Sequence, residues 1–272
     1  MNEEIKMNGN NPKFDDIEWD FIAESTDKLV NIGYKLIKPQ KQTFRDEQWQ
    51  FSKFIKTAAS LPIFEYPVKL KYTGDKNMPP DFLIKSGGNF ITVELARVST
   101  QDLEHARFLQ IQPTIHGQPV PHGKWIKHAI DTTELLRPKS KPRTVDEIID
   151  TVAKPALMLG MMSHKERREI FTQEVTRQLN EKTSTFNDKR FEHGHENWLV
   201  LRDRIGTGEF EVQSRIEILK ILLAPYWKRD WYSRVFIQQI EYNPYLATFT
   251  PTECALILNS ESATHKYPLG FF

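Results

Sequence analysis

Apolar residues recur at helical spacing in TFRDEQWQFSKFIKTAAS (43–60), where Phe44, Phe51, Phe54 and Ile55 fall on one face and predict a helix. Thr43 is placed to cap it, and Asp46 and Glu47 suit the positive end of its dipole. The preceding stretch IEWDFIAESTDKLVNIGYKLI (17–37) has a weaker helical pattern, which Pro39 ends. FEYPVKLKY (64–72) alternates and predicts a strand. PPDFLIKSGGNFITVELARV (79–98) predicts a hairpin, with Phe82 and Ile84 on one strand and Ile91 and Val93 on the other. Ser86, Gly87, Gly88 and Asn89 supply its turn, because Gly and Asn tolerate positive φ.

Six prolines between Pro113 and Pro155 cut the stretch 101–162 into short pieces, which reads as an irregular insertion. A long polar helix is predicted over 163–188, capped by Ser163, with Ile170, Val175 and Leu179 inward. NWLVLRD (197–203) has the continuous apolar centre of a strand covered on both faces. EVQSRIEILKILLAPYW (211–227) predicts an amphipathic helix, and RVFIQQIEY (234–242) and ECALILN (253–259) predict strands. Helices, a strand meander and then alternating helices and strands imply an α/β fold, a mixed β-sheet flanked by helices. Residues 1–16 read as a disordered tail, and 17–272 as a single domain carrying the insertion at about 101–162.

Composition narrows the classes. A hydrophobic content of 39%, with 11% aromatic residues, is enough for a real core. The 37 Lys and Arg are balanced by 36 Asp and Glu, so any nucleic-acid surface would be local and not a global basic field. The lone Cys254 excludes an internal disulfide framework and a multi-Cys metal site. The polar, acidic start MNEEIKMNGNNPKFDD does not read as a signal peptide, and no apolar run approaches the ~18 residues of a membrane helix. The expectation is a soluble cytoplasmic protein without a membrane partner.

The hairpin holds two unexpected acids. With Ser86 to Asn89 as the loop, Lys85 faces Phe90, and counting outward places Asp81 opposite Glu94. Direct cross-strand neighbours have Cβ atoms roughly 4.5–5.5 Å apart, and like charges there repel. A divalent cation beside them would explain the pairing, since Mg²⁺ takes oxygen ligands and is commonly held by one or two carboxylates. Taken singly, each acid also has an ordinary reading: Pro-Pro-Asp is common turn chemistry, and Glu94 can face solvent.

PPD at 79–81 and VELAR at 93–97 together resemble the signature of the PD-(D/E)XK nuclease superfamily, an acid after proline and then an acid-x-lysine on the next strand. The resemblance implies a restriction-endonuclease-like fold and hydrolysis of phosphodiester bonds, with DNA as the expected substrate in bacterial defence or DNA processing. It implies Asp81, Glu94 and the Leu95 carbonyl as ligands for Mg²⁺ or Mn²⁺, with Glu47 joining directly or through water. One departure is clear: Ala96 stands where the family has its lysine. Lys182, Lys85 and Arg97 are the candidate replacements, with Lys182 preferred. Alternation turns Arg97 away from Glu94, and Lys85 lies roughly 13 Å along the strand from Asp81. Ala96 also keeps open a catalytically inactive binding module with the same fold. A homodimer is compatible with cutting two strands. The chain has no Gly-x-Ser-x-Gly elbow, Walker A loop or Rossmann fingerprint.

Beyond this constellation, HGQPVPHGKWIKH (116–128) sets Lys124, Trp125 and Lys127 together, and RPKSKPR (137–143) adds Arg137 and Lys139. Both segments suit nucleic-acid backbone contacts, and both also read as solvated loops. His193 and His195 precede the buried strand, as a general base or as a polar loop. Trp227, Trp231, Tyr226 and Tyr232 read as packing for a helix end.

Overall fold

The computed structural model describes residues 17–31, 42–74, 79–99, 114–115, 118–119, 164–205, 211–240, 244–258 and 263–268. The chain begins with β1 (Phe21–Ala23), α1 (Thr26–Val30), α2 (Gln42–Ala58), β2 (Val68–Tyr72), β3 (Phe82–Ser86) and β4 (Asn89–Val98). The two-residue strands β5 (Thr114–Ile115) and β6 (Gln118–Pro119) pair only with each other. The remainder is α3 (His164–Phe186), β7 (Glu196–Asp203), α4 (Glu211–Leu223), β8 (Arg234–Gln239), β9 (Tyr245–Phe249), β10 (Glu253–Leu258) and β11 (Ala263–Pro268).

Nine strands form one mixed sheet in the order β1-β2-β3-β4-β7-β8-β9-β10-β11. Its centre, β4-β7-β8, is parallel, and both flanks are antiparallel. Parallel neighbours need a crossover between them, and α3 and α4 lie in the two crossovers of this centre. Central strands covered on both faces have near-continuous apolar runs, and β7 is buried from Trp198 to Asp203, apolar from Trp198 to Leu201 and ending in the buried Arg202 and Asp203, the latter paired with Arg215.

The helices divide between the two faces. On one, Phe51, Phe54 and Ile55 of α2 pack on Phe82, Val93, Leu95 and Trp198. Phe51 stacks on Phe82 with ring centroids 3.7 Å apart. Fully burying a side chain of this size stabilises by about 1.5–3 kcal/mol. On the other face, Phe171, Val175 and Leu179 of α3 and Ile216 and Leu219 of α4 cover Ala96, Val98, Leu199 and Leu201. Strand alternation therefore assigns Val93 and Leu95 to the α2 side, and Glu94 and Ala96 to the α3 side.

Several elements differ from the sequence expectation. The stretch expected as a helix from residue 17 contains the edge strand β1, which pairs with β2, and the short helix α1 capped by Ser25. Pairing to an existing strand edge supplies hydrogen bonds that a weak local helical pattern cannot match. Helix α2 starts at Gln42, so Thr43 lies inside it and is not its cap. Strand β8 ends at Gln239, and β9 and β11 extend the sheet where no strand was expected. Ser86 pairs with Asn89, so the turn is Gly87-Gly88 and not four residues. Both loops are centred on the same point, so the register is unchanged. The tail 1–16, Ser163 and all of the insertion except β5 and β6 lie outside the described residues.

Candidate functional site

The hairpin register runs Phe82↔Val93, Leu83↔Thr92, Ile84↔Ile91, Lys85↔Phe90. One step outward, Asp81 stands opposite Glu94. Strand β3 begins only at Phe82, so no ladder partner meets the Leu95 N–H there. The Asp81 carboxylate takes that place: Leu95 N–H donates to Asp81 Oδ2 at 2.8 Å. Leu95 thus enters the site through its amide, a contact the sequence did not suggest. Asp81 is partly buried, whereas Glu94 is only 4% exposed.

Lys182 arrives from α3. Its Nζ donates to Glu94 Oε1 at 2.6 Å. Glu94 Oε2 is buried without a well-formed hydrogen bond, although the Asp81 backbone N–H acts on this carboxylate and lowers it. Burial, and next the negative charge of Asp81, push the Glu94 carboxyl up to about 7, although Lys182 pulls the other way. Burial also raises Asp81, opposed by Lys182 and by the Leu95 amide. Desolvation alone would lower Lys182, but the charges of Glu94 and Asp81 outweigh it and hold the ammonium protonated. Two acids and one cation therefore share a poorly solvated space beside α3.

Glu47 approaches from α2. Tyr72 Oη donates to its Oε2 at 2.8 Å. Burial raises its carboxyl, the Tyr72 bond lowers it, and the charges of Asp81, Arg97 and Lys182 all reach it. Arg97 lies on the Glu47 side of β4, as alternation requires. Lys85 sits over the Phe90 ring at 4.7 Å and takes no part in the Lys182–Glu94 contact.

The other sequence candidates separate from this cluster. His195 accepts from the Phe90 N–H through Nδ1 at 3.0 Å, and its own N–H donates to Phe90 O at 2.7 Å. It ties the entry of β7 to β4. His193 packs edge-on against Phe186, with ring centroids 4.6 Å apart. Trp231 and Tyr232 are buried in the α3–α4 core, as packing residues. Lys124, Trp125, Lys127, Arg137 and Lys139 lie outside the described residues.

Sequence reasoning missed Tyr72, and it read Tyr232 as packing without its contact to Lys182. Tyr232 Oη donates to the Lys182 carbonyl at 3.3 Å, and burial followed by the charges of Glu94 and Asp81 raises its phenol. Neither tyrosine has a neighbouring motif; each acquires its role through a partner dozens of residues away. Tyr72 carried one usable signal, its place at the end of the strand preceding the hairpin.

Among the described residues, no three or more His, Cys, Asp and Glu side chains are grouped as a ready metal centre. Asp81 and Glu94 do fit a magnesium-type ion. Such an ion takes one or two carboxylates and fills its remaining positions with water and substrate oxygens. The buried Glu94 Oε2, which makes no well-formed hydrogen bond, is an acceptor that such an ion would satisfy. The start of β3 beside β4, covered by α3, thus holds a pair of carboxylates, Asp81 and Glu94, with the ammonium of Lys182 on Glu94. No family model, curated protein or solved structure matches the chain.

Proposed function

We propose that the protein is a metal-dependent nuclease of the PD-(D/E)XK type, with a restriction-endonuclease-like fold, that hydrolyses phosphodiester bonds in DNA. The observation that carries this reading is the 2.6 Å contact between Lys182 and Glu94. It supplies, from a helix, the cation absent at Ala96. The helix-then-meander order ahead of β4, the parallel pairing of β4 with β7 and the Asp81–Glu94 register support it.

Asp81 and Glu94 would hold Mg²⁺ or Mn²⁺, with the Leu95 carbonyl as a further oxygen donor. When bound, such an ion activates water and offsets charge on the phosphate. Asp81, fixed by the Leu95 amide, orients the donor set. Lys182 would offer its desolvated positive charge, held on Glu94, to the attacking water or to a phosphate oxygen, and a preorganised charge in a dry site needs no reorganisation during reaction. The expected partner is DNA, and the expected assembly a homodimer, one site per strand.

The test is cleavage of plasmid, single-stranded DNA and RNA with Mg²⁺, Mn²⁺ or EDTA, for wild type, Asp81→Ala, Glu94→Ala and Lys182→Ala. Metal-dependent cutting by wild type that is lost in all three variants supports the assignment. Cutting that survives Asp81→Ala and Glu94→Ala sinks it. Ala96 favours a second reading, a non-cleaving module that binds nucleic acid or protein; nucleic-acid binding without cutting would select that.

A further inference from the structure

Lys182 stands about one turn before α3 ends at Phe186. Helix ends fray, and a lysine side chain has many rotamers, so the place of its ammonium depends on what holds the helix end. The α4–β8 connection, residues 224–233, supplies that hold. Tyr232 Oη donates to the Lys182 carbonyl at 3.3 Å, and Tyr226 Oη donates to Asn180 Oδ1 at 2.9 Å. The Tyr232 ring is 1% exposed and meets Phe186 edge-on, with centroids 4.9 Å apart, and Trp231 at 5.0 Å. A phenol buried this deeply needs an acceptor, and the Lys182 carbonyl serves as one.

The same connection is tied to the strand that carries Glu94. Ser233 N–H donates to the Asn197 carbonyl at 2.8 Å, and Asn197 Oδ1 accepts from the Thr92 hydroxyl at 2.7 Å. Thr92 lies two residues before Glu94, on the same face of β4. The contacts close a circuit from β4 to β7, to Tyr232, to Lys182 and, through the 2.6 Å ammonium–carboxylate bond, back to β4.

We infer that Tyr232 is a positioning residue whose hydroxyl fixes the end of α3, so that the Lys182 ammonium is delivered to Glu94. The inference rests on the metal-dependent reading above and adds the device that holds a helix-borne lysine on the hairpin.

The test is single-turnover cleavage of plasmid DNA with Mn²⁺ by the full chain, over a range of enzyme concentrations. It compares wild type, Tyr232→Phe, Lys182→Ala and the Tyr232→Phe/Lys182→Ala double variant. Tyr232→Phe keeps the ring and its packing and removes only the hydroxyl. It is expected to slow the saturated rate about 10-fold with the half-saturating concentration unchanged, because a small misplacement of a reacting group is costly. The double variant is expected to cut as slowly as Lys182→Ala, because Tyr232 acts only through Lys182. A second measurement is the ¹⁵N signal of the Lys182 ammonium in metal-free protein, identified by its absence in Lys182→Ala. Tyr232→Phe is expected to lose that signal through exchange with water, and where Lys182→Ala leaves no rate to compare, the signal decides. Wild-type cutting lost in Lys182→Ala, with rate and signal both unchanged in Tyr232→Phe, overturns this inference alone. A double variant that loses the full product of the single effects overturns it too. No metal-dependent cutting by wild type, or cutting indifferent to Lys182→Ala, overturns the nuclease reading and this inference with it.

Discussion

Lys182 Nζ and Glu94 Oε1 meet at 2.6 Å although 88 residues separate them in the chain. The lysine side chain is 18% exposed and the glutamate 5%, so water screens the pair weakly. Breaking a buried pair by removing one partner typically costs about 3–5 kcal/mol, because the remaining charge is uncompensated. Glu94 has an escape, since its carboxyl already titrates near about 7 and can protonate. Lys182→Met should therefore destabilise the metal-free protein more at pH 8 than at pH 6, measured by urea unfolding at both. The proposed cleavage should slow by about 100-fold or more in this variant, the loss expected for a preorganised charge-stabilising group.

The stability of the wild type should itself depend on pH in a defined direction. Glu94 has a folded-state pKa raised from 4.5 to about 7, so between these values the native state binds more protons than the unfolded state. The stability contributed by neutral Glu94 is complete below pH 4.5 and is lost as pH rises through about 7. Asp81 is shifted in the same direction and adds to the trend. Metal-free wild type should lose stability from pH 5 to pH 8 relative to Glu94→Gln, seen in melting temperatures across that range. Added Mn²⁺ should reverse the loss at the proposed metal site, because an ion held by the ionised carboxylates would favour the native state.

A lysine introduced at Ala96 tests the proposed role of Lys182 directly. Ala96 is two residues beyond Glu94, on the same face, and packs with the α3 side of the core. Ala96→Lys alone should overpack that space and cost about 1–3 kcal/mol. Combined with Lys182→Ala, which vacates room, it should recover part of the cleavage lost in Lys182→Ala. Single-turnover rates and melting curves of the three variants measure this; no recovery in the double variant would show that the helical origin of the lysine matters.

Two glycines should respond very differently to alanine. A Cβ on Gly194 would lie 2.5 Å from the Phe90 carbonyl oxygen and 2.9 Å from that of Glu196, both backbone atoms that cannot swing aside. One on Gly88 would meet nothing within 4 Å. Gly194→Ala should cost about 1–3 kcal/mol and loosen the junction of β4 and β7, and Gly88→Ala should be close to neutral. Thermal melts distinguish them.

The hairpin was readable from the chain because its evidence is local: alternation, a Gly-Gly turn and a count across it. Even the misjudged loop length left Asp81 opposite Glu94, because register depends on the centre of the turn. Helix α2, helix α3 and strand β7 were readable for the same reason, each carrying its own period. Strand β1 was not, because three residues, Phe21 to Ala23, carry too little pattern to compete with a helical neighbourhood. Their conformation is decided by pairing with Val68, Lys69 and Leu70. Strand β9 lacked a visible alternation because every one of its positions is buried.

The sequence by itself determined the α/β class, the facing of Asp81 and Glu94, and a short roster of cations, Lys182, Lys85 and Arg97, with Lys182 preferred. Which of them meets Glu94 was decided by the tertiary structure. Lys85 is drawn to the Phe90 ring, Arg97 faces α2, and the crossover helix brings Lys182 onto Glu94. The same holds for Tyr72, whose hydroxyl reaches Glu47 across 25 residues. Periodicity records which face a residue takes, but it holds no information about which distant element will cover that face, so the ammonium on Glu94 and the hydroxyl on Glu47 were set by packing.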